Sequence, residues 1–377
     1  MPVTRENNRA LICSIGTSVP ESRYTQEQAL EFMKSIPSYG ESDRSFLERI
    51  YPASAIETRH SVIADWSRKP SEFTFFSRNG NMHPEPGLRR RNELFAEESP
   101  AIAERAARRA IEANDEIAIE DITHIITVSC TGFTAPGIDY QLIRRLGLGR
   151  NVHRFHVGFM GCYAVYPALK MADSFVRNDP DATVLIVALE LCTLHVQFKQ
   201  ERETMVANSL FADGCAACVV AAEGRYRAPG AYGIEAFAST LIDDSESDMA
   251  WNVGDVAFDM RLSAYVPKIV EKNVPSIVDT LCDMAGVDRA TIDRWAIHPG
   301  GRAVLDRVKR GLGLDHEALR PSFDILRRYG NMSSPTILFV LKGLLEDETR
   351  RPDRGETVFS AAFGPGLTVE SALLTVR

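Results

Sequence analysis

Across 377 residues no apolar run reaches the ~18 residues that a membrane-spanning helix needs. The first residues, MPVTRENNRALICSIG, hold neither a long apolar core nor a small-residue cleavage site, so no secretory signal is read there. Both absences give the expectation of a cytoplasmic protein with reduced thiols. An excess of positive charge is lacking too. The formal net charge is −8, which argues against nucleic acid or an anionic membrane as partner and leaves room only for a local basic mouth. No G-x-G-x-x-G follows a first strand and no P-loop is present, so dinucleotide and nucleoside triphosphate sites are not read. There is no short-period repeat and no low-complexity tract. The cysteines, at 13, 130, 162, 192, 215, 218 and 282, are odd in number and lack the spacing of a disulfide framework.

What is present is an ordinary globular composition, 45% hydrophobic and 25% charged, in a chain long enough for one large or two medium domains. Continuous apolar runs recur: ALICSIG (10–16), ITHIITVSC (122–130), ATVLIVALE (182–190), CAACVVAA (215–222), then WAIHPGG (295–301), TVFSAAFGPG (357–366) and VESALLTV (369–376). Unbroken apolarity suggests strands covered on both faces, and the helical patterns between them indicate an α/β fold with largely parallel sheets. Ser99-Pro100 and Ser334-Pro335 read as N-cap and first residue of two helices. Segment 64–97 has little periodicity and reads as a long surface excursion, in which Arg89, Arg90 and Arg91 form a solvated loop or meet a phosphate. GRYRAPGAYG, near 225–232, reads as a junction between halves 1–227 and 228–377.

Cys13 and Cys282 sit in apolar patterns and read as buried small hydrophobes. Cys215 and Cys218 form a lone CxxC in a run of small residues, which reads as a packed strand rather than a zinc or redox site. Cys162 differs. It lies between the strand-like VHRFHVGF (152–159) and the helical YAVYPALKMADSFV (163–176), with Pro167 expected to bend the helix. A strand-to-helix turn exposes a nucleophile, and a helix N-terminus lowers a thiol pKa. Periodicity alone leaves Cys162 open between packing and chemistry. Its candidate partners are His298, at the end of a strand-like run, and Asn331, before a helix, whose plainer role is helix entry or an Asx turn.

GFMGCYAVYPALKMA, WAIHPGG, YGNMSSP and FGPGLTVE, in this order and spacing, resemble the type III polyketide synthases, the chalcone synthase-like family. The resemblance runs from about residue 8 to the end. It implies the thiolase fold, five αβαβα layers in two pseudo-symmetric halves, and a homodimer. It makes Cys162 the thioester-bearing nucleophile, His298 and Asn331 its catalytic partners, and Phe211 and Phe258 gatekeepers between tunnel and cavity. Gly364 and Pro365 fall in a loop supporting the active site, where Ala362 replaces a family glycine. Cys130, Cys192 and His195 fall at cavity-lining positions, and their pattern resembles the bacterial branch of alkylpyrone and alkylresorcinol synthases that use fatty acyl-CoA starters. Arg49 and Ala303 align with contacts to coenzyme A, while Ala53 stands where a family lysine is usual. Arg44 or the Arg89–Arg91 run is a candidate to compensate. Trp251 is a candidate cavity wall.

The chemistry implied is loading of an acyl-CoA starter on Cys162, decarboxylation of malonyl-CoA and repeated condensation, with no metal, nicotinamide or flavin. A thiolate–imidazolium pair of Cys162 and His298 would keep the nucleophile active near neutral pH. A β-ketoacyl-ACP synthase III-like condensing enzyme would share Cys, His and Asn, but the HQAN-type His motif is replaced here by IHPGG. A non-catalytic acyl-binding protein on the same fold would have no need of all three.

Overall fold

The computed structural model describes residues 9–79 and 82–377. The first half contains β1 (Ala10–Ser18), β2 (Arg23–Thr25), α1 (Gln26–Lys34), α2 (Glu41–Ala53), β3 (Thr58–His60), α3 (Leu88–Glu112), β4 (His124–Ser129), α4 (Ile138–Leu146), β5 (His153–Gly158), α5 (Val165–Asn178), β6 (Thr183–Leu191), α6 (Arg202–Leu210) and β7 (Asp213–Ala222). The second contains β8 (Tyr232–Leu241), β9 (Met249–Val253), β10 (Phe258–Leu262), α7 (Val266–Ala285), β11 (Arg294–Ile297), α8 (Arg302–Leu312), α9 (Arg320–Tyr329), α10 (Thr336–Leu345), β12 (Thr357–Gly364) and β13 (Thr368–Val376).

Nine strands run in the order β11-β12-β13-β8-β1-β7-β6-β4-β5. β1 and β8 share only the pairs Leu11–Gly233 and Ile12–Tyr232, so two sets of strands meet at a narrow seam. The sets repeat one plan. β4–β6 is parallel, β6–β7 and β7–β1 antiparallel; β11–β12 is parallel, β12–β13 and β13–β8 antiparallel.

Alternation along the strands builds the layers. On β6, Leu185, Val187 and Leu189 pack with α3, while Val184, Ile186 and Ala188 face α5 and α10. On β12, Val358 and Ala362 join that same middle layer, while Phe359, Ala361 and Phe363 face α7 and α8. The result is helix, sheet, helix, sheet, helix. α10 is apolar all round because it lies in the middle layer, and Ile337 through Leu341 are all buried.

Several expectations change. The sheet is mixed: unbroken apolarity reports burial on both faces, which antiparallel neighbours supply equally well. α3 begins at Leu88, so Ser99 and Pro100 lie inside it. Pro167 falls in the first turn of α5, where its missing N–H has no partner to lose. Apart from residues 80 and 81, which lie outside the described residues, segment 64–97 is not a surface excursion. Trp66, Phe73, Phe75 and Phe76 are buried, with Phe32 against Trp66, Phe73 and Phe76. The buried Asp65 carboxylate accepts from the N–H groups of Thr74, Phe75 and Phe76, which satisfies a loop that has no ladder of its own. Arg91 is fully buried and donates to the carbonyls of Leu194 and Val196, so it meets no phosphate. Arg90 pairs with Glu93 and Glu97.

Candidate active site

Cys162 sits in a single 3-10 turn, Gly161–Tyr163, between β5 and α5. The chain turns sharply there, with Phe159 at φ 57 and Gly161 at φ 78. Glycine is required at 161 twice over. The backbone is left-handed, and a Cβ would lie 2.4 Å from Pro365 Cδ. A Cβ on Gly364 would lie 2.5 Å from the Tyr163 ring. The Gly364-Pro365 loop is thus pressed onto the nucleophile turn. From the other side, Gly161 N–H donates to Cys130 Sγ at 3.0 Å.

His298 follows β11 and is pinned by its N–H to Ala361 O at 2.8 Å. Asn331 follows α9. Its N–H donates to Leu210 O at 2.9 Å and its carbonyl accepts from Ala212 N–H at 2.8 Å, a bridge across to Phe211. Its side-chain oxygen accepts from Ser333 N–H at 2.8 Å, the Asx turn open to it from sequence. Its amide nitrogen is then aimed at Gly300 O, 3.3 Å away.

These three residues, from three separate elements, line one cavity of about 690 Å³. Cys130, Cys192, His195, Phe211 and Pro365 line it too, as does Trp251, whose indole N–H donates to Cys130 O at 2.8 Å. Phe258 does not reach the cavity. It stacks on His195 from behind, centroids 4.1 Å apart. Gly364 supports the turn instead of lining the space. Ala303 lies on the cavity wall; Arg49 does not, and stacks with Arg202 on the Phe46 ring. Arg202 and Arg302 line the mouth, positions that no reading of the sequence singled out. Arg44 is turned away and donates to Lys34 O.

Burial governs the electrostatics. It pushes the Cys162 thiol up to about 12, against the pull of the Ser333 hydroxyl. It pushes His298 down to about 3, and neither ring nitrogen has a hydrogen-bond partner among the described residues. The expected lowering of the thiol pKa at a helix end is outweighed by desolvation. No hydrogen bond joins His298 to Cys162 in this conformation. Burial likewise raises Cys130 and Cys192 and holds His195 down near 3. His195 is therefore neutral: Nε2–H donates to Thr131 O and Nδ1 accepts from Phe258 N–H. That makes it a clip between β10 and the cavity wall.

Glu190 was not singled out from sequence. It ends the apolar run ATVLIVALE, and a lone acid closing such a run was the available signal. It is fully buried, and accepts from Cys130 N–H and Thr131 Oγ1 at 2.8 Å each and from Ser334 Oγ at 2.8 Å. Ser334 thus serves Glu190 and does not cap α10. Burial lifts the Glu190 carboxyl to about 7.

Residues 2–224 match the family pattern "Chalcone and stilbene synthases, N-terminal domain", and residues 234–376 match its C-terminal counterpart. The chain belongs to the chalcone and stilbene synthase family. As a type III polyketide synthase it is an acyl-transferring condensing enzyme. It is 31% identical over 379 residues to the alpha-pyrone synthesis polyketide synthase-like Pks18 of Mycobacterium tuberculosis, covering 100% of this chain and 93% of that one. It is 30% identical over 378 residues to probable polyketide synthase 1 of Dictyostelium discoideum, covering 98% of this chain but spanning only 12% of that much longer protein. Among solved structures, PKS-I from the brown alga Ectocarpus siliculosus superimposes with a TM-score of 0.92 at 30% identity, covering 99% of each chain. The C-terminal type III polyketide synthase domain of Steely1 from Dictyostelium does so at 0.89 and 28% identity, covering 98% of this chain and 99% of that one. The five-layered thiolase fold is the one this family shares.

Proposed function

We propose that this polyketide synthase loads a medium- to long-chain fatty acyl-CoA on Cys162, extends it with malonyl-CoA and cyclises the product to an alkylpyrone or alkylresorcinol. The observation that carries the proposal is the convergence of Cys162, His298 and Asn331 on one apolar-walled cavity. Its volume lies in the range typical of small-molecule sites. Trp251, Met249, Met260 and two cysteines give that wall little polarity, which suits an aliphatic chain. The name of the relative Pks18, alpha-pyrone synthesis polyketide synthase-like, supports the pyrone outcome. A β-ketoacyl-ACP synthase III-like role would need a carrier protein to deliver the starter, and is the alternative the assay below separates. A non-catalytic acyl-binding role would leave all three site residues idle.

In this mechanism the Cys162 proton passes to His298 as Sγ attacks the starter carbonyl. The C–S bond to coenzyme A breaks, and CoA leaves as the thiol. Malonyl-CoA then loses CO2, and the electron pair of the broken C–C bond becomes an enolate. His298 and the Asn331 amide donate to the enolate oxygen, each worth about 3 kcal/mol of barrier. The enolate carbon attacks the Cys162 thioester, the C–S bond to Sγ breaks, and the lengthened chain leaves as a β-ketoacyl-CoA with Cys162 as the thiolate. That thiolate attacks the new thioester, releases CoA and carries the chain into another round. All of this is acid–base and thioester chemistry supplied by these side chains, so we infer no metal, nicotinamide or flavin. Arg202 and Arg302 at the mouth, with Arg49 beside them and Ala303 on the wall, supply the cations and backbone for the CoA phosphates. The junction at 225–232 divides the chain into halves 1–227 and 228–377. The first carries the nucleophile and the second its two partners.

Product analysis by mass spectrometry, with malonyl-CoA and a panel of acyl-CoAs, tests the proposal. Pyrones or resorcinols from aliphatic starters support it. Absence of any product or CO2 release sinks it, and a strict need for acyl carrier protein favours the carrier-dependent condensing enzyme.

A further inference from the structure

Arg59 is only 1% exposed, yet it forms part of the cavity wall. Its Nη1 donates to two carbonyls at once, Asn208 O at 2.8 Å and Phe211 O at 2.7 Å. Those carbonyls belong to the last turn of α6 and the residue after it, the negative end of that helix, where a cation is favoured. The guanidinium is boxed by the rings of Tyr24, Tyr51 and Trp66 at 5.1, 6.0 and 6.0 Å, and Nε and Nη2 have no hydrogen-bond partner among the described residues. The buried Asp213 carboxylate feels its charge.

The stem of the same residue packs against the Asn331 segment. A Cβ on Gly330, at φ +72, would lie 2.9 Å from Arg59 Cγ. The residues before Arg59 reinforce this: Glu57 N–H donates to Arg327 O at 2.8 Å and Thr58 Oγ1 to Arg328 O at 2.7 Å. Residues 57–59 therefore hold both strands of the bridge in which Asn331 N–H meets Leu210 O and Ala212 N–H meets Asn331 O. Charge-assisted bonds to two carbonyls fix that bridge more firmly than a neutral donor would.

We propose that Arg59 is a positioning residue, which sets the carbonyl of Phe211 and, through the Phe211–Asn331 bridge, the placement of the Asn331 amide. This rests on the reading of Asn331 as a donor to the malonyl enolate. It separates the two half-reactions. Loading depends on Cys162, held by the Gly161–Pro365 contact, whereas decarboxylation depends on Asn331.

The test measures both in Arg59→Lys and Arg59→Met. Loading is read as the acyl mass added to intact protein on mixing with acyl-CoA, and decarboxylation as CO2 release from malonyl-CoA by the loaded enzyme. Loading is expected to stay within about twofold of wild type. Decarboxylation is expected to fall at least about tenfold in Arg59→Met, because sub-ångström placement of the donor is lost. Arg59→Lys, whose ammonium keeps the charge, should recover part of that loss and keeps the test open should Arg59→Met not fold. Equal loss of both half-reactions, or wild-type decarboxylation in the folded variants, overturns the inference while leaving the proposed function standing. A wild-type protein that neither loads nor decarboxylates overturns the proposed function itself.

Discussion

At the scale of single residues, Cys162 and His298 are each prevented by burial from changing charge alone. One is pushed to about 12 and the other to about 3. The pair can still pass its one proton internally, since that leaves the site neutral overall. Alkylation of Cys162 by iodoacetamide should accordingly vary little between about pH 5 and 9. In His298→Ala it should instead rise with pH, because the thiol must then ionise into bulk water. A wild-type rate that titrates like an exposed thiol, near 8.5, would contradict this. Glu190 gives a second, opposite signature. Its folded pKa of about 7 stands above the ordinary 4.5, so the folded protein holds a proton that the unfolded chain releases over that interval. Its contribution to stability is complete below about pH 4.5 and is lost as pH rises towards 7. His195 and His298, both lowered to about 3, act in the reverse sense and cost stability as pH falls below 6.5. Against that shared histidine background, the stability of wild type relative to Glu190→Gln should decrease as pH rises from 4.5 to 7.5, read as the difference between their unfolding midpoints. Parallel curves would show that Glu190 does not titrate there.

At the scale of elements, strands buried on both faces, such as β6 and β7, are legible in the sequence because the apolar run is unbroken, while the exposed edge strand β5 is legible only from its place before the Cys162 turn. β9 and β10 were missed because only one face of that hairpin is apolar: Met249, Trp251, Met260 and Leu262 look into the cavity while Asn252, Asp259 and Arg261 do not line it. The aromatic segment after β3 was misread because its order comes from long-range contacts and from the Asp65 carboxylate, neither of which has a period. Cys162, His298 and Asn331 were legible because four motifs fell in register; the arginines at the mouth and the Glu190 network were not, since only folding brings them there. Arg91 illustrates the cost of such hidden ties. It fastens the first turn of α3 to the turn at 192–195 through the carbonyls of Leu194 and Val196. Arg91→Met should lower the unfolding free energy by about 3 kcal/mol, because two buried carbonyls lose their donor. Denaturant titration measures this, and a change under about 0.5 kcal/mol would contradict the tie.

At the scale of the whole molecule, the two halves repeat a strand plan and place the site where they meet. An apolar patch remains outside. Phe133 is 56% exposed and Phe159 37%, their rings 6.4 Å apart, with Val253 at 56% in the hairpin. We expect this face to meet a second copy, so that light scattering gives twice the chain mass and Phe133→Asp with Phe159→Asp shifts it towards one. Monomeric wild-type protein would contradict the dimer. The claim on which the rest depends is that Cys162 carries the growing chain. Intact-protein mass spectrometry after mixing with a long-chain acyl-CoA, with and without malonyl-CoA, tests it most directly. An acyl adduct on Cys162 is expected, with longer polyketide adducts once malonyl-CoA is added, and neither in Cys162→Ala. An adduct that persists in Cys162→Ala, or condensation that continues without residue 162, would contradict it.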